Sequence, residues 1–175
     1  MNLHMHCTAR GALVRAALAA SMLVVAGPAA AGDLAAPELV LVANPLLAAT
    51  IEQDGQWNRA SIDQGRQAQS VQLRQSGAGN QARAVQDGQA HVMTLAQQGA
   101  GNLAAVTQSG SFNTVDLDQR GNDNVANVSQ LGSGSSALVH QYGDGNRADV
   151  TQVGGTFSTV VRQYGDHMVT SVIQH

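Results

Sequence analysis

Glutamine and asparagine side chains have the most regular spacing in the chain, and the chemistry they offer is hydrogen bonding. A glutamine recurs every eleven residues from Gln53 to Gln174. A carboxamide donates through its nitrogen and accepts through its oxygen, so identical amides placed one above another can bond in a continuous column. Alternate members of the series form two sets: Gln53, Gln75, Gln97, Gln119, Gln141 and Gln163, and then Gln64, Gln86, Gln108, Gln130, Gln152 and Gln174.

Two other residue types keep a fixed distance from these glutamines. A glycine lies two residues after almost every glutamine, with Arg66 as the exception, and provides the backbone freedom of a tight turn. After the first set, the glycines are Gly55, Gly77, Gly99, Gly121, Gly143 and Gly165. Five residues after members of the first set come Asn58, Asn80, Asn102, Asn124 and Asn146. In the other half, Gln69, His91 and Ser135 replace asparagine, so the repeating unit spans two glutamine intervals and has two similar halves.

Residues that could support catalysis or bind a metal are few and scattered. The histidines after residue 31 are His91, His140, His167 and His175. No two of them have the close spacing of a metal-ligand motif, so we expect solvated histidines. Asp116 and Asp118 lie two apart, but a flat polar surface provides no pocket to shift their pKa values. We therefore predict neither an enzyme nor a cofactor or metal site.

The elements that position the amides are predicted to be short β-strands. The seventh and ninth residues after each glutamine are mostly small apolar and aliphatic, such as Ala104 and Val106 after Gln97. The sixth, eighth and tenth residues vary freely. This alternation is typical of a strand with one buried face. The predicted inward face therefore contains asparagine, a small apolar residue, an aliphatic residue and glutamine.

The repeat predicts an all-β fold, a β-solenoid in which each 22-residue unit forms one strand-turn-strand coil. An eleven-residue period also fits a right-handed helical supercoil. Each repeated glycine would cost a helix about 1 kcal/mol, which disfavours that alternative. Residues 53–175 would form about five and a half coils of a cross-β stack. The strand edges of the first and last coils would be open to another chain.

Composition and charge limit the classes of partner. Charged residues are 12% of the chain and aromatic residues 3%, which leaves little with which to fill a globular core. The formal net charge of −3 argues against a nucleic-acid partner bound through a basic face. We also expect no small-molecule substrate, because a stack of short polar strands offers no deep pocket.

The first 52 residues differ from the repeat. Arg10 and Arg15 precede a short apolar run over 16–26, and small residues follow it, so residues 1–31 are predicted to be a secretory signal peptide. Residues 32–52 lack the glutamine series and form a predicted leader. The leader is either an address recognised during export or a loosely ordered segment without a role.

The repeated motif resembles the curlin repeat of bacterial curli. Residues 97–108 and 141–152 match Gln-x-Gly-x-x-Asn-x-Ala-x-Val-x-Gln at every specified position. The resemblance implies a subunit exported through the periplasm that polymerises at the cell surface into extracellular amyloid fibres for adhesion and biofilm matrix. It implies other curlin subunits, the outer-membrane secretion pore and surface accessory factors as partners. It would also make 32–52 a segment recognised by that pore.

The last unit departs from the others and resembles the tail of the minor, nucleating curlin subunit. Phe157 and Met168 stand at its asparagine positions, and Val160, Val169 and Ile173 make its outward face more apolar. These five residues form a candidate anchoring or docking tail. The major fibre subunit remains an alternative, as does a protein of another class, a monomeric β-solenoid binding module of the adhesin or ice-binding type.

Overall fold

The computed structural model describes residues 3–10, 14–19, 22–25, 47–65 and 68–175. Strands make up most of these ranges. Within them, no helix has the length and apolar character needed to cross a membrane.

Eleven strands build a stack of six coils. The first coil is a single long strand, and each later coil contains two strands that follow one another in the chain. The strands are β4 (Leu47–Gln64), β5 (Gln69–Ala78), β6 (Gln81–Gln89), β7 (Val92–Ala100), β8 (Leu103–Ser111), β9 (Thr114–Asn122), β10 (Val125–Ser133), β11 (Ser136–Tyr142), β12 (Arg147–Gly154), β13 (Ser158–Tyr164) and β14 (Val169–Gln174).

Successive coils pair through parallel strands with a constant shift of one repeating unit. The first half of β4 pairs with β5, and the order continues through β7, β9, β11 and β13. The second half of β4 pairs with β6, and the order continues through β8, β10, β12 and β14. Gln75 therefore lies beside Gln97, and Gln86 beside Gln108. The prediction of an all-β solenoid with a 22-residue repeat is confirmed.

The core follows from the alternation of apolar and variable residues along each strand. In β8, Ala104, Val106 and Gln108 are buried, while Leu103 and Thr107 face outward. Because the shift between coils equals the repeat, each buried residue lies next to its own equivalents. The interior is therefore a set of parallel columns in which aliphatic residues alternate with amides.

Two N-terminal strands pair with the outer edge of the first coil, and a third strand pairs with one of them. β1 (Leu3–Arg10) runs antiparallel to β4 and covers residues 56–64. β2 (Val14–Ala19) covers residues 49–53 in the same orientation, and β3 (Met22–Val25) pairs with β2. These strands lie within the predicted signal peptide, whose removal stays a prediction.

The solenoid begins earlier than the glutamine series. Leu47, Ala49 and Ile51 are buried, and β4 pairs with β5 from Leu47 onward. Residues 47–52 of the predicted leader thus form the start of the first coil, because their alternate apolar residues offer the same inward face. The rest of the leader, 32–46, and Arg66 lie outside the described residues.

Candidate functional site

The first set of glutamines forms an unbroken column of hydrogen bonds. Each Nε2 donates to the Oε1 of the equivalent glutamine in the next coil, at 2.5–2.8 Å from Gln53 to Gln163. All six side chains are at most 2% exposed. Buried amides are costly without partners, so the column makes polar residues acceptable in the core.

The second set behaves in the same way on the other side of the coil. Its Nε2 groups donate to the next Oε1 at 2.8–3.0 Å from Gln64 to Gln174. The two columns run side by side through all six coils. Every pair of adjacent coils is therefore joined by two glutamine–glutamine hydrogen bonds besides the backbone ladder.

From Gln64 to Gln163, each amide nitrogen also donates to a backbone oxygen within the stack, a feature that the sequence did not reveal. Gln97 Nε2 also donates to the backbone oxygen of Gln81 at 3.1 Å, and Gln119 Nε2 to that of Leu103 at 3.1 Å. These acceptors lie 16 residues earlier, on the other strand of the preceding coil. Because backbone carbonyls occur at every position, no residue pattern could have indicated these bonds.

The asparagine column organises the arc between the two strands of a coil. Each Oδ1 from Asn58 to Asn124 accepts the backbone N–H of the asparagine in the next coil at 2.9–3.1 Å. Each Nδ2 from Asn58 to Asn146 donates to a glycine carbonyl of the next coil at 2.7–3.0 Å. Asn80, Asn102 and Asn124 also donate through Nδ2 to the Oδ1 of the preceding asparagine at 3.0–3.1 Å, so the asparagine column bonds both the backbone and itself.

These bonds give each of the first five coils two different faces. Toward the C-terminus, a coil offers glutamine Nε2 donors and asparagine Oδ1 acceptors. Toward the N-terminus, it offers glutamine Oε1 acceptors and the backbone N–H of asparagine. A stack of such coils has a chemical polarity, because only unlike faces are complementary.

The opposite arc, which joins the second strand of one coil to the first strand of the next, contains a second buried column. One expectation from the sequence is wrong there. His91 is fully buried rather than solvated. It lies five residues after Gln86 and replaces an asparagine: its Nε2 is 3.0 Å from Asp87 O, and the N–H of Asn113 donates to its Nδ1 at 3.4 Å. The imidazole can do this because it carries one donor and one acceptor, as an amide does. Its position relative to Gln86 was the available signal.

The turn glycines permit close stacking as well as a left-handed backbone. Gly99 has a φ of +116°, and a Cβ there would lie 2.0 Å from the carbonyl oxygen of Gly121. The same approach recurs along the column from Gly55 to Gly143, each time to the glycine of the next coil. Gly165 has a φ of +133° but only Met168 Sδ nearby, at 3.8 Å, because it lies in the last coil.

The N-terminal face of the first coil has unpaired buried acceptors. Gln53 and Gln64 are fully buried, yet their Oε1 atoms have no hydrogen-bond partner in the described part of the chain. Gln69 Oε1, in the opposite arc, is also buried without a hydrogen-bond partner in the described residues. In every later coil, the equivalent glutamine oxygen accepts from the coil before it. The first coil therefore lacks the donors that a preceding coil would provide.

The C-terminal coil ends the columns differently. Gln163 Nε2 turns to Met168 O at 3.1 Å and Thr170 Oγ1 at 3.0 Å, whereas Gln174 Nε2 makes no bond to the described residues. Asn146 Oδ1 still accepts the N–H of Met168 at 2.9 Å, but Met168 has no amide to continue the column.

The predicted tail residues lie on this coil and are largely solvent-accessible. Val169 is 73% exposed and Ile173 62%, while Phe157 is half-buried. Val160 and Met168 are also exposed. The described part of the chain provides no strand partner for the outer edges of β13 and β14. The last coil is thus an open edge beside an apolar surface.

The ionisable side chains form small surface clusters. Asp118 accepts from Tyr142 Oη at 2.9 Å and pairs with Arg120 at 3.0 Å. The hydrogen bond to Asp118 raises the pKa of Tyr142, and burial and the carboxylate charge add to this. Asp116 is exposed on the same strand. No group of three or more His, Cys, Asp or Glu within the described ranges is arranged to hold a metal ion.

Comparison with known proteins identifies the repeat. Residues 93–121 and 121–154 match the family model described as Curlin associated repeat. These matches cover β8 to β12 and all but the first residue of β7, where both glutamine columns and the asparagine column are complete. No curated protein and no solved structure matches the chain significantly. The central coils of the solenoid are thus similar to the curlin associated repeat.

Proposed function

We propose that the protein is a structural subunit of extracellular curli-type amyloid fibres. One observation carries this proposal: two glutamine columns run unbroken through six coils with curlin associated repeats at their centre, and they stop at edges that are chemically incomplete. A strand edge with unpaired backbone groups accepts further strands. In-register stacking of identical side chains is the arrangement found in cross-β fibres.

The proposal includes an exported subunit at the cell surface, serving adhesion and the biofilm matrix. Its partners would be other curlin subunits, with the secretion pore and surface accessory factors acting during export. The predicted signal peptide, residues 1–31, supports the exported location.

Within the fibre, we propose the role of the minor subunit, which nucleates or anchors polymerisation. The apolar C-terminal coil supports this choice, since Val160, Val169 and Ile173 are all more than half exposed. In a major fibre subunit, whose coils all stack on equivalent coils, we would expect an amide at the positions of Phe157 and Met168. Exposed apolar side chains at an edge instead fit attachment to a different surface.

A seeding experiment tests both levels of this proposal. Small amounts of the assembled protein are added to a soluble major curlin subunit, and the lag before amyloid-dye fluorescence is measured. We expect the lag to shorten, and we expect Val169→Ser with Ile173→Ser to remove most of that effect. Leu131→Ser is the matched control, because Leu131 is 52% exposed but lies outside the last coil.

The outcomes separate the alternatives. Amyloid formation without seeding of the partner would favour the major-subunit alternative. A stable soluble monomer by sedimentation, with no concentration-dependent fibre growth, would instead favour the monomeric binding module and contradict the proposal.

A further inference from the structure

We propose that the outer edge of β4 is the face to which the sixth coil of a second copy adds, and that β1 and β2 occupy this face in a chain that still carries them. The inference rests on the proposed function, because it concerns how fibre subunits join. It assigns a direction to assembly and a blocking role to the N-terminal strands.

The unpaired acceptors of the first coil indicate what the edge of β4 requires. Gln53 Oε1 and Gln64 Oε1 are buried and unpaired, whereas the equivalent oxygens of later coils accept from the preceding glutamine. A buried acceptor without a donor destabilises the fold. The missing donors are glutamine Nε2 groups at the two column positions of a parallel coil.

The last coil of a second copy has glutamines at both positions. If the second copy continues the stack in the same register, its residues are offset by five repeating units. Its Gln163 then lies next to Gln53 of the first copy, and its Gln174 lies next to Gln64. Gln174 Nε2 makes no bond to the described residues of its own chain. Gln163 Nε2 would exchange its bond to Thr170 Oγ1 for one to Gln53 Oε1.

The other side chains at this junction are also complementary. The same shift places Arg162 below Glu52, which on its other side lies 3.8 Å from Arg74. It places the half-buried Phe157 below Leu47, which is buried at the start of β4. Opposite charges and paired apolar groups on adjacent strands both stabilise a sheet. The chemistry of β4 therefore selects a second copy of this chain, oriented head to tail.

The N-terminal strands cover the backbone of this edge without supplying the missing amides. In the antiparallel register, Leu3 lies opposite Gln64 and Val14 opposite Gln53. Neither residue type can donate a side-chain hydrogen bond. The Oε1 atoms of Gln53 and Gln64 therefore stay unpaired. We expect β1 and β2 to bind the edge of β4 less tightly than a parallel coil with glutamines at these positions would.

A cleavage experiment tests the blocking role. A protease site placed at residues 28–31 of the full chain allows the same protein to be studied before and after cutting. Seeds are grown from cut protein and extended with cut protein, with uncut protein present at one-tenth of the amount. An uncut chain would add through its sixth coil and leave its own β4 covered, so we expect growth from that end to stop.

The result is distinguishable from failure of the proposed function. If cut protein forms no fibres, the proposed function is wrong and this inference falls with it. If cut protein forms fibres that uncut protein extends equally well or leaves unaffected, only the inference is wrong.

A charge reversal tests the direction of addition. We expect Arg162→Glu protein to extend wild-type seeds about two- to fivefold more slowly, because it places two carboxylates side by side. The rate should recover on seeds of Glu52→Arg protein. Arg83→Glu is the control, since Arg83 is exposed on the second coil and lies at neither edge. Equal rates for Arg162→Glu on both kinds of seed would overturn the proposed junction.

Discussion

The two ends of the solenoid are built from the same repeating unit but present different chemistry. At the N-terminal end, β4 keeps the complete inward set, with Asn58 and two glutamines whose acceptors are unpaired. At the C-terminal end, the sixth coil has donors but lacks asparagine, and it exposes Val169 and Ile173. The difference shows that each coil has a direction, and that the two ends of the solenoid are chemically unlike.

The largest expected effect contrasts Gly99, inside one glycine column, with Gly154, which ends the other column after Gly88, Gly110 and Gly132. Gly99→Ala would place a Cβ 2.0 Å from the carbonyl oxygen of Gly121, in addition to the strain of its positive φ. We expect a loss of about 4 kcal/mol from strain and overpacking together. Gly154 also has a positive φ, +102°, but nothing lies within 4 Å of its Cβ position. Gly154→Ala should therefore cost only about 1–2 kcal/mol.

Guanidinium unfolding of the assembled protein, followed by circular dichroism, measures both variants. If Gly154→Ala lowered the free energy of unfolding as much as Gly99→Ala, backbone strain alone would explain why glycine is needed at these turns. The close approach between coils would then have no separate role.

An intermediate effect, on the rate of seeded growth, is expected from adding an asparagine to the sixth coil. Met168→Asn would restore the acceptor that the asparagine column lacks, so that the backbone N–H of Asn58 in an added copy finds a partner. One hydrogen bond contributes about 1 kcal/mol, so we expect seeded growth to accelerate about fivefold. Val169→Asn is the matched control, because the same amide would there point into solvent from a residue that is 73% exposed. Equal acceleration by both variants would contradict the role of the column.

The smallest effect concerns pH and the surface of the fifth coil. Burial tends to raise the pKa of Asp149, but hydrogen bonds from Asn127 and Arg147 and the charge of Arg147 lower it overall. Because the folded pKa is lowered, the carboxylate stabilises the fold above the ordinary value of about 3.9 and loses this effect as the pH falls through the folded pKa.

Asp149→Asn measures this contribution. We expect the variant to be less stable than the wild type by a few tenths of a kcal/mol at pH 7, since the ion pair is largely exposed. The difference should vanish under strongly acidic conditions in unfolding experiments at both pH values. A difference that grows on acidification would have the wrong sign.

The sequence predicted the register of the solenoid because one period runs through every coil. Once Gln53 lies beside Gln75, the shift of one repeating unit also fixes Ala, Val and Asn beside their equivalents. The alternation of apolar and variable residues was enough to predict which face is buried. The continuous pairing from Gln64 to Gln174 follows from the same spacing.

Other features could not be obtained from the period. The early start at Leu47 was missed because the glutamine series is absent there, although the strand alternation already begins. The burial of His91 was missed because its chemistry was judged by residue type rather than by its position in a column. The antiparallel pairing of β1 with β4 has no periodic signal and depends on which edge remains open.

Disulfide mapping tests whether the amide columns continue from one chain to the next in a head-to-tail direction. Cut protein with Thr50→Cys is co-assembled with cut protein with Val160→Cys, and the fibres are oxidised and analysed by mass spectrometry. The shift of five repeating units places these residues side by side on the outward face, within the Cα separation of about 4.4–6.8 Å that a disulfide needs. We expect crosslinks between positions 50 and 160 alone; crosslinks between two copies of position 160 would show that the chains do not join head to tail.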